Sequence, residues 1–333
     1  MQPKGVNPFS NLAENLCEVQ DLWVSHIPRP ERPVRVALVS MPPFEPQQYE
    51  MKPFYIADPV PDGIRREDCE RSLVALKGQV HKELLAAYKE ALTFAVDEYR
   101  ANIVCVSELG LPHHAIRPLA AAQEFAQNLS VSKNVLIVAG TSHDRRTYYN
   151  TGYIYHPEGS WSFHKSLSAA GMGELISAPA KRRVLSIKIF GLRIAVMVCL
   201  DIADYATLAS VIRARERIDM VLVPCYTEKF DKMLDVAKVA SRALRGIVAM
   251  VNAHIPNSKC HFARFGTDEN PLDEQPFGSR AIVSLFEVDH EALQQERSRK
   301  HVRENSHIDW LFGNRDMPSI PPNPPMRQRA SRA

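Results

Sequence analysis

Apolar positions along this chain follow two rhythms. Short continuous runs, rich in β-branched residues, occur at VRVALVSM (34–41), NIVCVS (102–107), NVLIVAG (134–140), DMVLVPC (219–225), GIVAMVN (246–252) and SRAIVSLFEV (279–288). Runs of this kind predict buried strands. Between them lie stretches with helical spacing. The longest covers 73–99, with Leu73, Val74, Leu76, Val80, Leu84, Leu85, Tyr88, Leu92 and Phe94; others cover 116–131, 204–217, 231–245 and the short segment DHEALQQERSRK. Two segments read as hairpins: YNTGYIYHPEGSWSFHK (149–165), turning at HPEG, and RRVLSIKIFGLRIAVMVC (182–199), turning at Phe190-Gly191. Residues 42–63 carry six prolines, too many for a helix or a central strand, which predicts a long ordered loop. Residues 1–33 read as a polar lead-in arm, and the Pro/Arg-rich end, 313–333, as a mobile tail. The strand–helix alternation predicts an α/β layered domain whose hairpins make the sheets mixed.

Composition narrows the class. Hydrophobic residues make up 45% and charged residues 24%, which is the balance of a soluble globular chain. A net charge of +3 is too small to point to nucleic acid or a membrane surface. The first residues carry acidic groups and no apolar core, so no signal peptide is read there. No stretch approaches the roughly 18 apolar residues of a membrane span. Cysteines at 17, 69, 105, 199, 225 and 260 form no CxxC pair. That spacing fits a reducing compartment and argues against a structural zinc site, so the expected location is cytoplasmic.

In α/β folds, reacting groups sit where strands end and loops begin. Three polar residues close apolar runs here. Glu108 follows NIVCVS, Lys165 follows WSFH, and Cys199 closes IAVMV within GLRIAVMVCLDIAD (191–204). Each has an ordinary reading by itself. A glutamate after a strand caps a helix, a lysine after a hairpin strand is solvated, and a cysteine in an apolar run packs as a small hydrophobe. Together they form a chemical set. A thiol is a nucleophile as its thiolate, with a free pKa of about 8.5. A carboxylate can take its proton, and a fixed ammonium can hold the negative charge that develops on an attacked carbonyl.

These stretches resemble the nitrilase, or carbon–nitrogen hydrolase, superfamily. VCVSELGLP looks like the family's strand end bearing the base, which maps Glu108. YNTGYIYHPEGSWSFHKSL matches the hairpin that delivers the family's lysine, here Lys165. GLRIAVMVCLDI fits G-x-x-I/V-x-x-x-x-C-x-D, mapping Cys199 as nucleophile, followed by Asp201. A second glutamate often stands beyond the lysine, which maps Glu174 in KSLSAAGMGE. MVLVPC, ASRALRGIVAMVN with Asn252, and SLFEVDHEALQQER extend the resemblance across residues 34–312. Two departures stand out. The loop at 42–63 is longer than usual, and Asn252–Gly278 shows no obvious G-x-S-x-I hairpin, for which FGSRAIV (277–283) would be a compressed form.

The resemblance implies a four-layer αββα sandwich with mixed sheets. It implies a homodimer or higher homo-oligomer built through helices near the nucleophile, and no metal or organic cofactor. It implies hydrolysis of a small-molecule amide or carbamoyl C–N bond through a thioester. Glu108 would act as base, Lys165 and the Leu200 backbone N–H as oxyanion donors, and Glu174 as an orienting group. Members acting on amides tend to carry a bulky residue and then an aspartate after the cysteine, as Leu200 and Asp201 do here; Asp201 is then a partner of the loop backbone. Loops 42–63, 109–116, 166–178 and 225–231 would set specificity, with 42–63 as a rim or lid. Two rivals remain. One is a catalytically inactive sensor or interaction module of the same fold. The other is a cysteine hydrolase using His164 as base. His113, His114 and His164 lack the carboxylate–histidine spacing of a metal site.

Overall fold

The computed structural model describes residues 18–30, 32–41, 49–55, 70–76, 80–111, 116–143, 150–165, 183–214, 217–253, 259–277 and 281–301. The chain divides into two compact units, Met1–Leu293 and Gln294–Ala333, and the architecture below belongs to the first.

Two seven-stranded sheets form the centre. The first contains β2 (Val34–Ser40), β5 (Ile103–Val106), β6 (Leu136–His143), β7 (Asn150–His156), β8 (Gly159–His164), β15 (Asp273–Phe277) and β16 (Ala281–Val288), in the order β15-β16-β2-β5-β6-β7-β8. Its middle strands β2, β5 and β6 are parallel and its flanking pairs antiparallel. The second contains β1 (Glu18–Val24), β9 (Arg183–Ile189), β10 (Leu192–Val196), β11 (Met220–Cys225), β12 (Ile247–Asn252), β13 (Lys259–Arg264) and β14 (Thr267–Glu269), in the order β1-β9-β10-β11-β12-β13-β14. Here β10, β11 and β12 are parallel. A separate hairpin pairs β3 (Tyr49–Tyr55) with β4 (Glu70–Leu76).

The side-chain alternation of the strands builds the layers. In the first sheet Val36, Leu38, Ile103, Cys105, Leu136 and Val138 face the second sheet's core. The intervening Ala37, Val39, Val104, Val106, Ile137 and Ala139 face the other way, as a period of two requires. That outer face is covered by α1 (Val80–Asp97) and α2 (Ile116–Lys133). In α1, Leu84, Tyr88, Ala91, Leu92 and Ala95 are buried, a stripe at helical spacing. On the far side, α4 (Phe230–Leu244) packs on β12 and β13 and against the shorter α3 (Tyr205–Ile212). Strand β2 meets β12 and β13 across the interior. The result is a four-layer αββα sandwich. A last helix, α5 (His290–His301), follows β16 in the chain and includes the boundary between the two units at Leu293.

Several expectations need correction. The helix expected over 73–99 begins at Val80, because Leu73, Val74 and Leu76 belong to strand β4. Their apolar spacing fits either period, and pairing with β3 decides it. The proline-rich stretch is not all loop: Tyr49–Tyr55 is β3, with Pro53 inside a two-stranded ladder, where one strand edge needs no donor. The segment read as a lead-in arm supplies β1, which pairs in parallel with β9 at the sheet edge. Past Asn252 lie β13, β14 and β15, none of which was expected. The tail falls outside the described residues.

The HPEG turn carries a titratable group. His156 is fully buried, and its Nδ1 accepts the Glu158 N–H at 3.1 Å, which requires the neutral ring. Burial holds it below the usual histidine range, with the Glu158 carboxylate opposing. The unfolded histidine gains its proton near pH ~6.5. The native state binds fewer protons, so its stability is complete above that pH and declines as pH falls below it. His156→Gln is expected to flatten this acid slope in thermal melts between about pH 5 and 7. His261, depressed for the same first reason, accounts for part of the slope that remains.

Candidate active site

Strand β5 ends at Val106, and the chain turns over Ser107–Gly110. Ser107 N–H donates to the Val39 carbonyl at 3.0 Å and its Oγ accepts from Met41 N–H at 3.2 Å. Leu109, at φ +58, donates to Thr141 Oγ1 at 3.0 Å, and Leu111 to the Thr141 carbonyl at 3.3 Å. β6 comes close enough to do this at its bulge, where Gly140 has φ +82 and a Cβ would lie 2.6 Å from the Ser107 carbonyl oxygen. A side chain there would push β6 away from the turn. Glu108 is therefore fixed on both sides, and it is fully buried.

Among the described residues, donors from both sheets converge on its carboxylate. Lys165 Nζ and Asn150 Nδ2 each donate to Oε1 at 2.7 Å, and the Tyr226 backbone N–H donates to Oε2 at 2.9 Å. An ionised carboxylate only accepts, so this donor set matches the anion. The sheet explains why two of the donors arrive together. Thr151 pairs with His164 in the β7–β8 ladder, and Lys165 N–H donates to the Asn150 carbonyl at 3.0 Å. Asn150 and Lys165 are thus cross-strand neighbours. Both are buried.

Tyr226 is held from the other sheet. It follows β11, and the next residue, Thr227, is bracketed by Asn252: its N–H donates to Asn252 Oδ1 at 2.8 Å and its carbonyl accepts from Nδ2 at 2.9 Å. Ser40 Oγ at the end of β2 donates to the Asn252 carbonyl at 2.7 Å. Strand ends of both sheets are locked into one another around Glu108.

Cys199 follows β10, after Met197 N–H extends the ladder to the Leu222 carbonyl at 3.0 Å. It opens a 3-10 turn, Cys199–Ala203, at φ +49 and with 2% exposure. A left-handed cysteine costs about 1–2 kcal/mol, and Asp201 offsets this. Asp201 Oδ2 accepts from Val198 N–H at 3.4 Å and its own N–H donates to the Val198 carbonyl at 3.0 Å. Asp201 thus acts on the backbone of the turn. Beside Cys199 lies the fully buried Cys225 at the end of β11. Burial pushes the Cys225 thiol well up, helped by a hydrogen bond to Cys199 and the charges of Cys199 and Glu108, and opposed by Lys165. Glu108 and Lys165 thus act on the same Cys225 thiol that Cys199 does.

No protein-family model matches this chain, and no curated protein matches it. Solved structures do. A CN-hydrolase superfamily protein from Xanthomonas campestris aligns with a TM-score of 0.55 at 14% identity, over 86% of this chain and 99% of its own. A member of branch 10 of the nitrilase superfamily from Saccharomyces cerevisiae aligns at 0.54 and 14%, over 82% and 95%. An amidase from Nesterenkonia sp. AN1, as a double mutant in complex with acrylamide, aligns at 0.51 and 12%, over 82% and 98%. The chain has the nitrilase fold.

Within this nitrilase fold, Glu108 and Lys165 pair directly, and Cys199 follows β10 beside Cys225. Leu200 is half-buried next to Cys199. Glu174, His113 and His114 lie outside the described residues, as does the whole of loop 166–178. His164 ends β8, and nothing is described of its side chain. Among the described residues, no cluster of His, Cys, Asp and Glu is placed to hold a metal. Sequence reasoning missed Asn150, although it stands in the quoted YNT stretch; its position opposite Lys165 was the available signal. Tyr226 was missed because a backbone donor leaves no mark in a sequence. Asn150→Asp puts a second carboxylate against Oε1, where two like charges cannot both ionise. It is expected to lower turnover at neutral pH by about 100-fold, with Asn150→Ala less damaging, in kcat measured on any substrate the protein cleaves.

Proposed function

We propose that the protein is a cysteine-dependent hydrolase of non-peptide C–N bonds in small amides or carbamoyl compounds. The observation that carries this reading is the buried Glu108–Lys165 pair, 2.7 Å apart, in a nitrilase fold whose β10 is followed by Cys199. Lys165 and Asn150 hold the Glu108 carboxylate at Oε1, and this carboxylate is assigned to proton exchange. In the proposed cycle it takes the Cys199 proton, and the thiolate attacks the carbonyl carbon. Lys165 and the Leu200 N–H receive the oxyanion. Glu108 returns the proton to the leaving amine or ammonia. It then takes one from water, which cleaves the thioester. Glu174 is assigned to orienting Lys165 or the base. The amide preference rests on Leu200-Asp201 and is supported by the Nesterenkonia neighbour, an amidase. Homodimerisation through helices near Cys199 belongs to the same reading, and its measure is mass in solution.

The test is a panel of small amides, N-carbamoyl compounds and nitriles, scored by ammonia release. Turnover of an amide or carbamoyl compound that is lost in Cys199→Ala supports the reading. Release from nitriles alone reverses the bond assignment. Turnover that survives Glu108→Gln and fails in His164→Ala transfers the base to His164. No release from any compound, with Cys199 inert to a thiol reagent at neutral pH, favours the inactive module.

A further inference from the structure

The mechanism uses one thiol, yet two stand side by side. Val196 pairs with Leu222 in the parallel β10–β11 ladder, and Met197 extends it by one hydrogen bond to the Leu222 carbonyl. Cys199 opens its turn three residues beyond the Val196↔Leu222 pair, and Cys225 closes β11 three residues beyond it on the neighbouring strand. Neighbouring strands lie about 4.8 Å apart, inside the roughly 4.4–6.8 Å Cα separation that a disulfide spans. Both side chains belong to the same buried core cluster, and the two thiols interact.

We propose that Cys199 and Cys225 form an oxidative modification site, in which a peroxide converts the pair to a Cys199–Cys225 disulfide that a dithiol reverses. The proposal rests on the reading of Cys199 as the nucleophile, since a cleft that admits an amide group admits hydrogen peroxide. The Cys199 thiolate attacks one peroxide oxygen, the O–O bond breaks, and the departing hydroxide takes a proton to leave as water. Cys199 is now a sulfenic acid. The Cys225 sulfur attacks the Cys199 sulfur, the S–O bond breaks, and the hydroxyl leaves as a second water with the Cys225 proton. Two thiols have been oxidised and one peroxide reduced. With its partner in place, the sulfenic acid is captured before it climbs to the irreversible sulfinic acid. The neutral, buried state of Cys225 suits this order, because Cys199 is the sulfur that meets the oxidant first. Cys105 and Cys260 provide an internal comparison. They too interact, and burial pushes both thiols up, Cys260 to about 12.

The experiment treats the full chain with a small excess of hydrogen peroxide and maps peptides without reduction. A Cys199–Cys225 peptide pair lighter by two hydrogens, cleaved by dithiothreitol together with recovery of thiols and turnover, is the expected result. Cys225→Ser then leaves Cys199 as the sulfinic or sulfonic acid, with a loss that dithiothreitol does not restore. A wild-type map showing Cys199 over-oxidised with Cys225 still a thiol, a Cys105–Cys260 link instead, or no link at all overturns the proposal, whatever the behaviour of Cys225→Ser. The readout is a peptide mass. A chain that cleaves amides but forms no link fails this proposal alone, and one that forms the link but cleaves nothing fails only the proposed function.

Discussion

Cys199→Ala is expected to remove turnover altogether, a loss of at least about 10³-fold for the residue proposed to form the covalent bond, while the fold survives. The change deletes one sulfur atom. Alanine meets the same left-handed penalty at φ +49 as cysteine does. The two backbone contacts of Asp201 with Val198 are untouched, so the turn keeps its shape. Thermal melting within a few degrees of wild type, with no thioester adduct by intact mass in the presence of substrate, is the outcome anticipated. Appreciable turnover in this variant would assign the covalent step to another residue.

Lys165→Met should be felt in stability as well as rate. It leaves the fully buried Glu108 without the cation 2.7 Å away. Breaking a buried pair from one side costs about 3–5 kcal/mol, because the remaining charge is still out of water. Adding Glu108→Gln removes that charge and should return part of the loss. It cannot return all of it. The amide presents an N–H on one side, whereas Asn150 Nδ2 and the Tyr226 N–H both need an acceptor. The ordering expected in denaturant melts is wild type, then the double variant, then Lys165→Met. Neither variant should turn over substrate. Equal stability of Lys165→Met and wild type would mean that the pair is not ionic in the folded protein.

The parts of the fold that were legible in the sequence are those where one physical signal dominates. The interior strands read as apolar runs because both of their faces are covered. The β9–β10 turn was legible from Phe190-Gly191, whose φ values of +54 and +79 are those of a two-residue hairpin turn. The same pair recurs at Phe265-Gly266, with φ +49 and +86, between β13 and β14, and there it was passed over. Those strands are half-exposed at the sheet edge, so their alternation is diluted by charge. β3 and β4 were hidden for a different reason: prolines on one strand and helix-compatible spacing on the other outweighed a pairing visible only in three dimensions. At the site, Glu108, Lys165 and Cys199 were legible as polar residues ending apolar runs. Their support was not, because it comes from a cross-strand asparagine and a backbone amide that no motif encodes.

The pairing of Asn150 with Lys165 ties the chemistry to a distant piece of chain. Both residues reach Oε1 only because the ladder runs unbroken from His156↔Gly159 to Thr151↔His164. A strand shifted by one residue turns every side chain to the opposite face. A single residue inserted between Pro157 and Glu158 would therefore swing the Lys165 ammonium out of the cleft unless a bulge absorbed it. That turn lies at the far end of the hairpin, yet it acts as the measuring end of a ruler whose other end is the carboxylate. For anyone grafting a tag or a binding peptide onto this protein, the tip of the hairpin is a poor place to cut, despite its distance from the reacting atoms.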